Sequence, residues 1–149
     1  MISLCSNAVT KLLVNRIHTS KFFSIIANET SDIPNVEQLS LCIRYVDEDF
    51  IPQVFLGLYS VASTDSATIF ATVCNALRQH TLDISNCRGQ SYDGAANMRG
   101  NINGLQAKFR QVNPLAKYLY CSGHKMNLVV QEAFLFHHEG INALEVYCR

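Results

Sequence analysis

The sequence lacks long apolar runs, a basic leader and paired cysteines. No stretch approaches the roughly 18 consecutive apolar residues that cross a bilayer, and residues 1–14 do not resemble a signal peptide. We therefore expect no membrane partner. The six cysteines are widely spread, without a CxxC pair, so we expect reduced thiols and not a disulfide framework.

The chain also lacks net charge, which alone gives no case for a nucleic-acid-binding protein. Its charges are nevertheless unevenly placed. Residues 94–131 contain no acidic residue and five basic ones, whereas residues 29–49 contain six acids and a single arginine. Such asymmetry can mark a surface that faces an anion, although ordinary solvated faces would give the same pattern.

The 149 residues are 48% hydrophobic and 16% charged, which indicates one globular domain with one core. Apolar spacing predicts a leading helix over residues 4–18. Strands are predicted over residues 22–27, 38–46, 53–59, 87–92 and 117–121. A helix should follow each of the last three strands. Thr64 should cap the first of these, and the second should carry Met98, Ile102, Leu105 and Phe109 on one stripe.

The continuous apolar run over residues 22–27 favours a central strand buried on both faces. Three meandering strands followed by alternating helices and strands predict an α/β mixed sheet with flanking helices. If the fourth strand lies parallel beside the first, the strand order is 3-2-1-4-5, the geometry of the ribonuclease H-like fold. We assign residues 1–149 to a single domain, with a core over 21–134 and a tail over 135–149.

In that arrangement two polar residues meet at adjacent strand ends. Asp93 follows the fourth strand in a glycine-flanked stretch, and an acid at the carboxyl end of a strand is a common metal-binding or catalytic group. The alternative is a turn-forming aspartate before Gly94. The first strand ends at Asn28, where a partner carboxylate would be expected.

Three blocks of sequence resemble the hAT superfamily of DNA transposases, specifically the transposase-derived proteins related to the zinc-finger MYM-type group. The blocks are Ile26–Asp32 with Glu37–Ser40, then Cys87–Met98, then Cys121–Gln131. Any one block alone would be weak evidence, but the three in this order are quite specific. The resemblance covers roughly residues 8–134.

The resemblance implies a domain that cleaves DNA and transfers strands with two Mg²⁺ or Mn²⁺ ions held by acidic residues. The first catalytic aspartate of the family falls on Asn28 and the second on Asp93. The family's Cys-x-x-His motif, next to its active site, falls on Cys121 and His124. We expect the chain to end before the family's third catalytic acid, and to lack its N-terminal zinc finger, so the domain should be incomplete.

Asn28 weakens the metal hypothesis, because an amide offers one neutral acceptor where a carboxylate offers two anionic oxygens. Glu29 should point to the opposite face of the strand, and Asp32 should lie past its end, although either acid could supply the missing ligand. Mg²⁺ or Mn²⁺ should therefore bind weakly or not at all.

Cys121 and His124 could indicate zinc, but a structural zinc site needs four ligands and no second pair follows at a suitable spacing. His124 should instead form hydrogen bonds near the acid site or contact a DNA phosphate. A histidine that simply lies at the start of a helix is the alternative.

The sequence thus predicts an incomplete, transposase-derived ribonuclease H-like domain without catalytic activity, located in the nucleus as the resemblance implies. The alternatives are a non-catalytic nuclear module that contacts protein or DNA, and a non-functional fragment of a transposable element. The expected partners are DNA, another protein or a second copy of the chain, and no small-molecule substrate.

Overall fold

The computed structural model describes residues 2–31, 36–48 and 50–132. The helices are α1 (Ile2–Ser20), α2 (Ser66–Gln79), α3 (Ala96–Arg99), α4 (Leu105–Val112) and α5, which covers residues 122–132 of the described chain. The strands are β1 (Phe23–Ser31), β2 (Glu37–Tyr45), β3 (Gln53–Ser60), β4 (Cys87–Tyr92) and β5 (Lys117–Tyr120). None of these described helices is long and apolar enough to cross a membrane. The predicted tail over 135–149 lies outside the described residues.

The five strands form one mixed sheet in the order β3-β2-β1-β4-β5. The strands β1, β2 and β3 are antiparallel to their neighbours in the meander, whereas β1, β4 and β5 run parallel. The predicted α/β sheet of ribonuclease H-like order, with flanking helices, is therefore confirmed.

One face of the sheet, which we call the inner face, carries the hydrophobic core. The alternate β2 residues Leu39, Leu41 and Ile43 are fully buried there, as the two-residue period of a strand requires. The helices α2 and α4 contribute to the same core, and the rings of Phe70 and Phe109 join them edge to face with centroids 5.2 Å apart. Removal of this apolar surface from water is the main force that holds the helices on the sheet.

The opposite face, which we call the outer face, carries Ser24, Ile26 and Asn28 of β1, none of them fully buried. The prediction that β1 is buried on both faces is therefore wrong. Phe23, Ile25 and Ala27 are buried, and they alternate with the outer-face residues. The reason is that α2 and α4 both lie on the inner face, while within the described chain the beginning of α5 borders the depressions of the outer face.

The helix predicted through Met98 and Phe109 is broken into α3 and α4. Between them the N–H of Gly104 donates to the carbonyl of Gly100 at 3.0 Å. A Cβ atom on Gly104 would collide with the backbone of Gly100, so the turn requires a residue without a side chain. Ile102, predicted to lie on the apolar stripe, is 81% exposed in this turn.

The residue that caps α2 is Asp65 and not Thr64. The Oδ1 atom of Asp65 accepts hydrogen bonds from the N–H groups of Ala67 at 2.9 Å and Thr68 at 3.0 Å. The Thr68 hydroxyl donates to Oδ2 at 2.6 Å. The bonds from Thr68 hold the pKa of the Asp65 carboxyl below its usual range. A carboxylate suits this position because it satisfies two free N–H groups and complements the helix dipole.

Buried amide side chains join β4 to the segment that follows α4. The Gln90 amide donates to the Ala116 carbonyl at 2.8 Å, and its Oε1 accepts from the Tyr92 hydroxyl at 3.0 Å. Asn113 Nδ2 donates to the carbonyls of Ile84 and Cys87, both at 2.7 Å. Throughout the described chain, every buried side-chain nitrogen or oxygen has a partner. This satisfied network fixes the position of β5 beside β4.

Candidate active site at the strand ends

The parallel pairing of β1 with β4 brings the two predicted acid positions to one edge of the sheet. The paired residues end at Ile26 opposite Ser91. Two residues farther along each chain lie Asn28, still within β1, and Asp93, directly after β4. The two positions therefore lie on neighbouring strands, but the prediction that the first strand ends at Asn28 is wrong, because β1 continues to Ser31.

Asp93 organises the loop that leads from β4 into α3. Its Oδ1 accepts a hydrogen bond from the Ala95 N–H at 3.1 Å, and its carbonyl accepts one from the Tyr118 hydroxyl at 3.0 Å. The first contact is a side-chain turn of the kind aspartate commonly forms before glycine. One carboxylate oxygen is thus engaged in holding the loop, while the other has no hydrogen bond among the described residues.

Asn28 lies on the outer face, over a depression of about 390 Å³ that is also lined by Ser40, Cys42 and His124. The Asn28 carbonyl accepts a hydrogen bond from the Ser40 hydroxyl at 3.1 Å. The Asn28 side chain is exposed, and it brings a neutral amide to the place where the resemblance implies a carboxylate.

Glu29 points away from Asn28, as the alternation of side chains along a strand requires. Asn97 Nδ2 donates to Glu29 Oε1 at 3.1 Å and to Oε2 at 3.3 Å, and also to the Thr64 carbonyl at 2.7 Å. Partial burial raises the pKa of the Glu29 carboxyl, and the nearby charges of Asp93 and Glu37 raise it further, against the lowering effect of Asn97.

The contact of Glu29 with Asn97 and Thr64 joins three segments that are far apart in the chain, and the sequence reasoning missed it. The sequence feature that could have indicated this contact is the position of Asn97, which lies four residues after Asp93 in the same block, Cys87–Met98. Asp32, the other nearby acid, lies outside the described residues.

Cys121 and His124 lie at the beginning of α5. The Cys121 N–H donates to the Tyr92 carbonyl at 2.8 Å, and the Cys121 carbonyl accepts the first helical bond from Lys125 at 3.0 Å. Burial raises the pKa of the Cys121 thiol, but bonds from the His124 side chain and from the N–H groups of His124 and Gly123 outweigh it. The net effect is a pKa below the usual value.

The donors that the structure describes at this edge do not fit a two-metal centre. Among the described residues, no group of three histidine, cysteine or acidic side chains is arranged to hold a metal ion. Asp93 supplies one carboxylate, Asn28 supplies a neutral amide, and Glu29 is turned towards Asn97. Two dications held close together need several anionic oxygens between them.

Two curated relatives carry the name "52 kDa repressor of the inhibitor of the protein kinase". The human protein is 26% identical over 131 residues, which cover 86% of this chain and 17% of the relative. The mouse protein is 25% identical over 130 residues, which cover 85% of this chain and 17% of the relative. The chain thus spans about a sixth of the length of these relatives.

A family model, described as "ZMYM1/FAM200, RNase-like domain", matches residues 1–104. The match and the observed sheet confirm the coarser part of the resemblance, a transposase-derived RNase-like domain, and leave the hAT assignment a prediction. With more than two thirds of its residues covered by the family model, the chain belongs to the ZMYM1/FAM200, RNase-like domain family (DUF4371).

Proposed function

We propose that this chain is a domain descended from a hAT transposase that no longer cleaves DNA and that contacts DNA as a non-catalytic module in the nucleus. The observation that carries the proposal is the neutral side chain of Asn28, two residues beyond the last pair of β1 with β4, where the resemblance implies a carboxylate. The reaction that the resemblance implies holds two metal ions between carboxylates at these two positions.

The loss of one carboxylate should weaken metal binding strongly. An amide presents a single neutral oxygen, whereas a carboxylate can bridge two cations with two anionic oxygens. Glu29 is a poor substitute. Its carboxylate lies close enough to Asp93 for the charge of Asp93 to raise its pKa, but both of its oxygens already accept hydrogen bonds from Asn97, which a metal ion would have to displace.

Contact with DNA is supported by the charge distribution around α3, α4, β5 and α5. Residues 94–131 carry five basic residues and no acidic one. Such a region attracts phosphate without any need for catalysis. The human and mouse relatives are named as repressors, and we extend a repressor role to this chain. The nuclear location in the proposal rests on the resemblance to transposases.

Titration of Mn²⁺ into the wild-type chain and into Asn28→Asp by calorimetry tests the site. We expect Asn28→Asp to bind Mn²⁺ at least about tenfold more tightly, because it places a second carboxylate beside Asp93. Asn15→Asp makes the same chemical change on the exposed surface of α1 and should leave the affinity unchanged. Equal affinity in Asn28→Asp and wild type would show that residue 28 is not at a metal site.

A nicking assay on supercoiled DNA tests the absence of cleavage. Wild type and Asn28→Asp should both leave the DNA intact in Mg²⁺ or Mn²⁺, since even two carboxylates are few for two dications. Robust metal-dependent nicking by the wild-type chain would overturn the proposal that the domain is inactive.

A second candidate function is contact with protein. Met126, Leu128 and Val129 of α5 are each more than half exposed, and exposed apolar side chains on one helix commonly mark an interface. This function shares the loss of catalysis with the first, and differs from it in the partner.

A further inference from the structure

Polar residues from neighbouring strands line up across the outer face of the sheet. Ser24 of β1 pairs with Arg44 of β2, and Arg44 pairs with Gln53 of β3. On the other side of Ser24, β4 supplies Gly89 as the paired residue. A Cβ atom on Gly89 would lie 2.6 Å from the Ser24 Oγ, so the glycine leaves room for the hydroxyl in the middle of this row.

These residues form the floor of a cavity of about 410 Å³ between the outer face and the beginning of α5. Ser91 and Ser122 add two more hydroxyl groups to its lining. Arg44 is the single charged residue among the described residues that line it, and no acidic residue is among them. The cavity therefore carries one positive charge and several hydroxyl groups within a lining that also contains apolar side chains such as Ile26 and Leu119.

The cavity is continuous with the depression beneath Asn28. Ile26, Gln53, Cys121 and Gly123 line both spaces. The depression, of about 390 Å³, likewise has no acidic residue among its described lining residues. We call the two spaces together the outer-face groove. It runs from Arg44 to Asn28 of β1.

The guanidinium of Arg44 is available for an external anion. The ion pair recorded within the described chain joins Arg16 to Asp47, and no described carboxylate pairs with Arg44. The Arg44 side chain is exposed. A planar guanidinium binds phosphate with two parallel hydrogen bonds, and this geometry gives it specificity for that group.

We propose that the outer-face groove binds the sugar-phosphate backbone of a single nucleic-acid strand, with one phosphate on Arg44 and the neighbouring hydroxyl and amide groups on the adjacent sugar and phosphate. The inference rests on the proposed function as a DNA-contact module and names one contact surface, to which none of the five basic residues of 94–131 contributes. The two volumes match sites for small ligands, so we assign to the groove a few nucleotides of a strand that is not base-paired.

Fluorescence anisotropy with a labelled single-stranded oligonucleotide of about 12 nucleotides, measured over a range of salt concentrations, tests the groove. We expect Arg44→Gln to weaken binding by about tenfold and to reduce the slope of log affinity against log salt by about 0.7, the value for one phosphate on a single strand. Arg44→Lys should keep the salt slope, because it keeps the charge.

Two further variants separate the groove from general charge. Arg78→Gln removes an exposed cation from α2, a helix of the inner face, and should change the affinity little. Ser91→Leu keeps every charge but fills the cavity, so it should weaken binding without altering the salt slope. A duplex of the same length should bind more weakly than the single strand.

The outcomes distinguish the two proposals. Equal binding by Arg44→Gln and Arg78→Gln, with a wild-type chain that does bind DNA, would overturn the groove and leave the DNA-contact function standing. Preference for the duplex would also overturn the groove. No binding of either nucleic acid by the wild-type chain would overturn both the groove and the DNA-contact function.

Discussion

Lys21 adopts a left-handed backbone at the end of α1, with φ of 67°. Its N–H donates to the Ile17 carbonyl at 3.1 Å, which is the bond that glycine usually makes when it ends a helix. A side chain in this conformation costs about 1–2 kcal/mol relative to glycine. The Lys21 ammonium lies 5.4 Å from the centroid of the Phe22 ring. The Arg88 guanidinium is closer, at 4.2 Å, so the ring keeps a neighbouring cation when the lysine is removed.

We therefore expect Lys21→Gly to raise the free energy of unfolding by about 1 kcal/mol, measured by urea denaturation. The matched control is Asn15→Gly, at an exposed position of α1, which should lower the free energy of unfolding by about 0.3 kcal/mol, the difference in helix propensity. A lower urea midpoint for Lys21→Gly would contradict the strain argument.

Glu29 should give the domain a specific dependence of stability on pH. Burial raises the pKa of its carboxyl above the ordinary 4.5, with Asp93 and Glu37 adding to the effect. The folded state therefore holds the proton more tightly than the unfolded state. The stability that this proton contributes is present below pH 4.5 and is lost as the pH rises through the folded pKa.

Glu29→Gln removes this titration. The free energy of unfolding of the variant minus that of wild type should therefore increase from about pH 4 to about pH 7. Urea denaturation at both pH values measures this difference. Glu48→Gln, at an exposed position of the β2–β3 turn, should show no such trend. If the free energy of unfolding of Glu29→Gln differs from that of wild type by the same amount at both pH values, the pKa of Glu29 is not changed by folding.

At the scale of elements, the turn between α3 and α4 depends on one glycine. A Cβ atom on Gly104 would meet the backbone of Gly100, and backbone cannot rotate aside as a side chain can. We expect Gly104→Ala to lower the free energy of unfolding by about 1–3 kcal/mol, the usual cost of overpacking. Thermal or urea denaturation measures it.

The control for that prediction lies two residues earlier. Ile102 is 81% exposed, so Ile102→Ala should change the free energy of unfolding by less than about 0.5 kcal/mol. A loss of 2 kcal/mol or more in Ile102→Ala would show that the residue is packed, as a continuous helix would require.

The strands were predictable because their patterns are local. Leu39, Leu41 and Ile43 alternate in the sequence and are buried in the structure. The strand order was predicted from the succession of strands and helices, on the condition that the fourth strand lies parallel beside the first. The adjacency of Asn28 and Asp93 depended on that order alone. In contrast, the spacing of Met98 and Ile102 fits a helix equally well whether or not the chain can continue past Gly104.

The finer geometry of the site was not predictable for a different reason. The bond from Asn97 to Glu29 and Thr64 joins α3, β1 and the segment before α2, and its formation depends on how three separate segments pack. The burial of β1 on only one face was also not predictable, because residues 22–27 have the same apolar composition whether helices cover one face of the sheet or both.

At the scale of the whole molecule, apolar side chains remain exposed on the outer side. Leu119 of β5 is 67% exposed and Met126 of α5 is 64% exposed, and Phe55 of β3 is also exposed. A surface of this kind favours association in water. We expect the chain to self-associate in a concentration-dependent way, as measured by sedimentation velocity, and to bind a hydrophobic dye.

Leu119→Gln should reduce both association and dye binding. Ile51→Gln, at a similarly exposed apolar residue beside the β2–β3 turn, should affect them less. A monomeric wild-type chain that melts cooperatively and binds no dye would show that these side chains do not drive association.

The place of β1 at the centre of the sheet also has a consequence during protein synthesis. One edge of β1 pairs with β2, the next strand to leave the ribosome, but the other edge waits for β4, which emerges only after β3 and α2. At about 5–20 residues per second, that wait lasts several seconds. During this time the free edge of β1 can pair with any other extended chain. The nascent chain therefore most needs a chaperone after β1, β2 and β3 have been synthesised and before β4 has emerged.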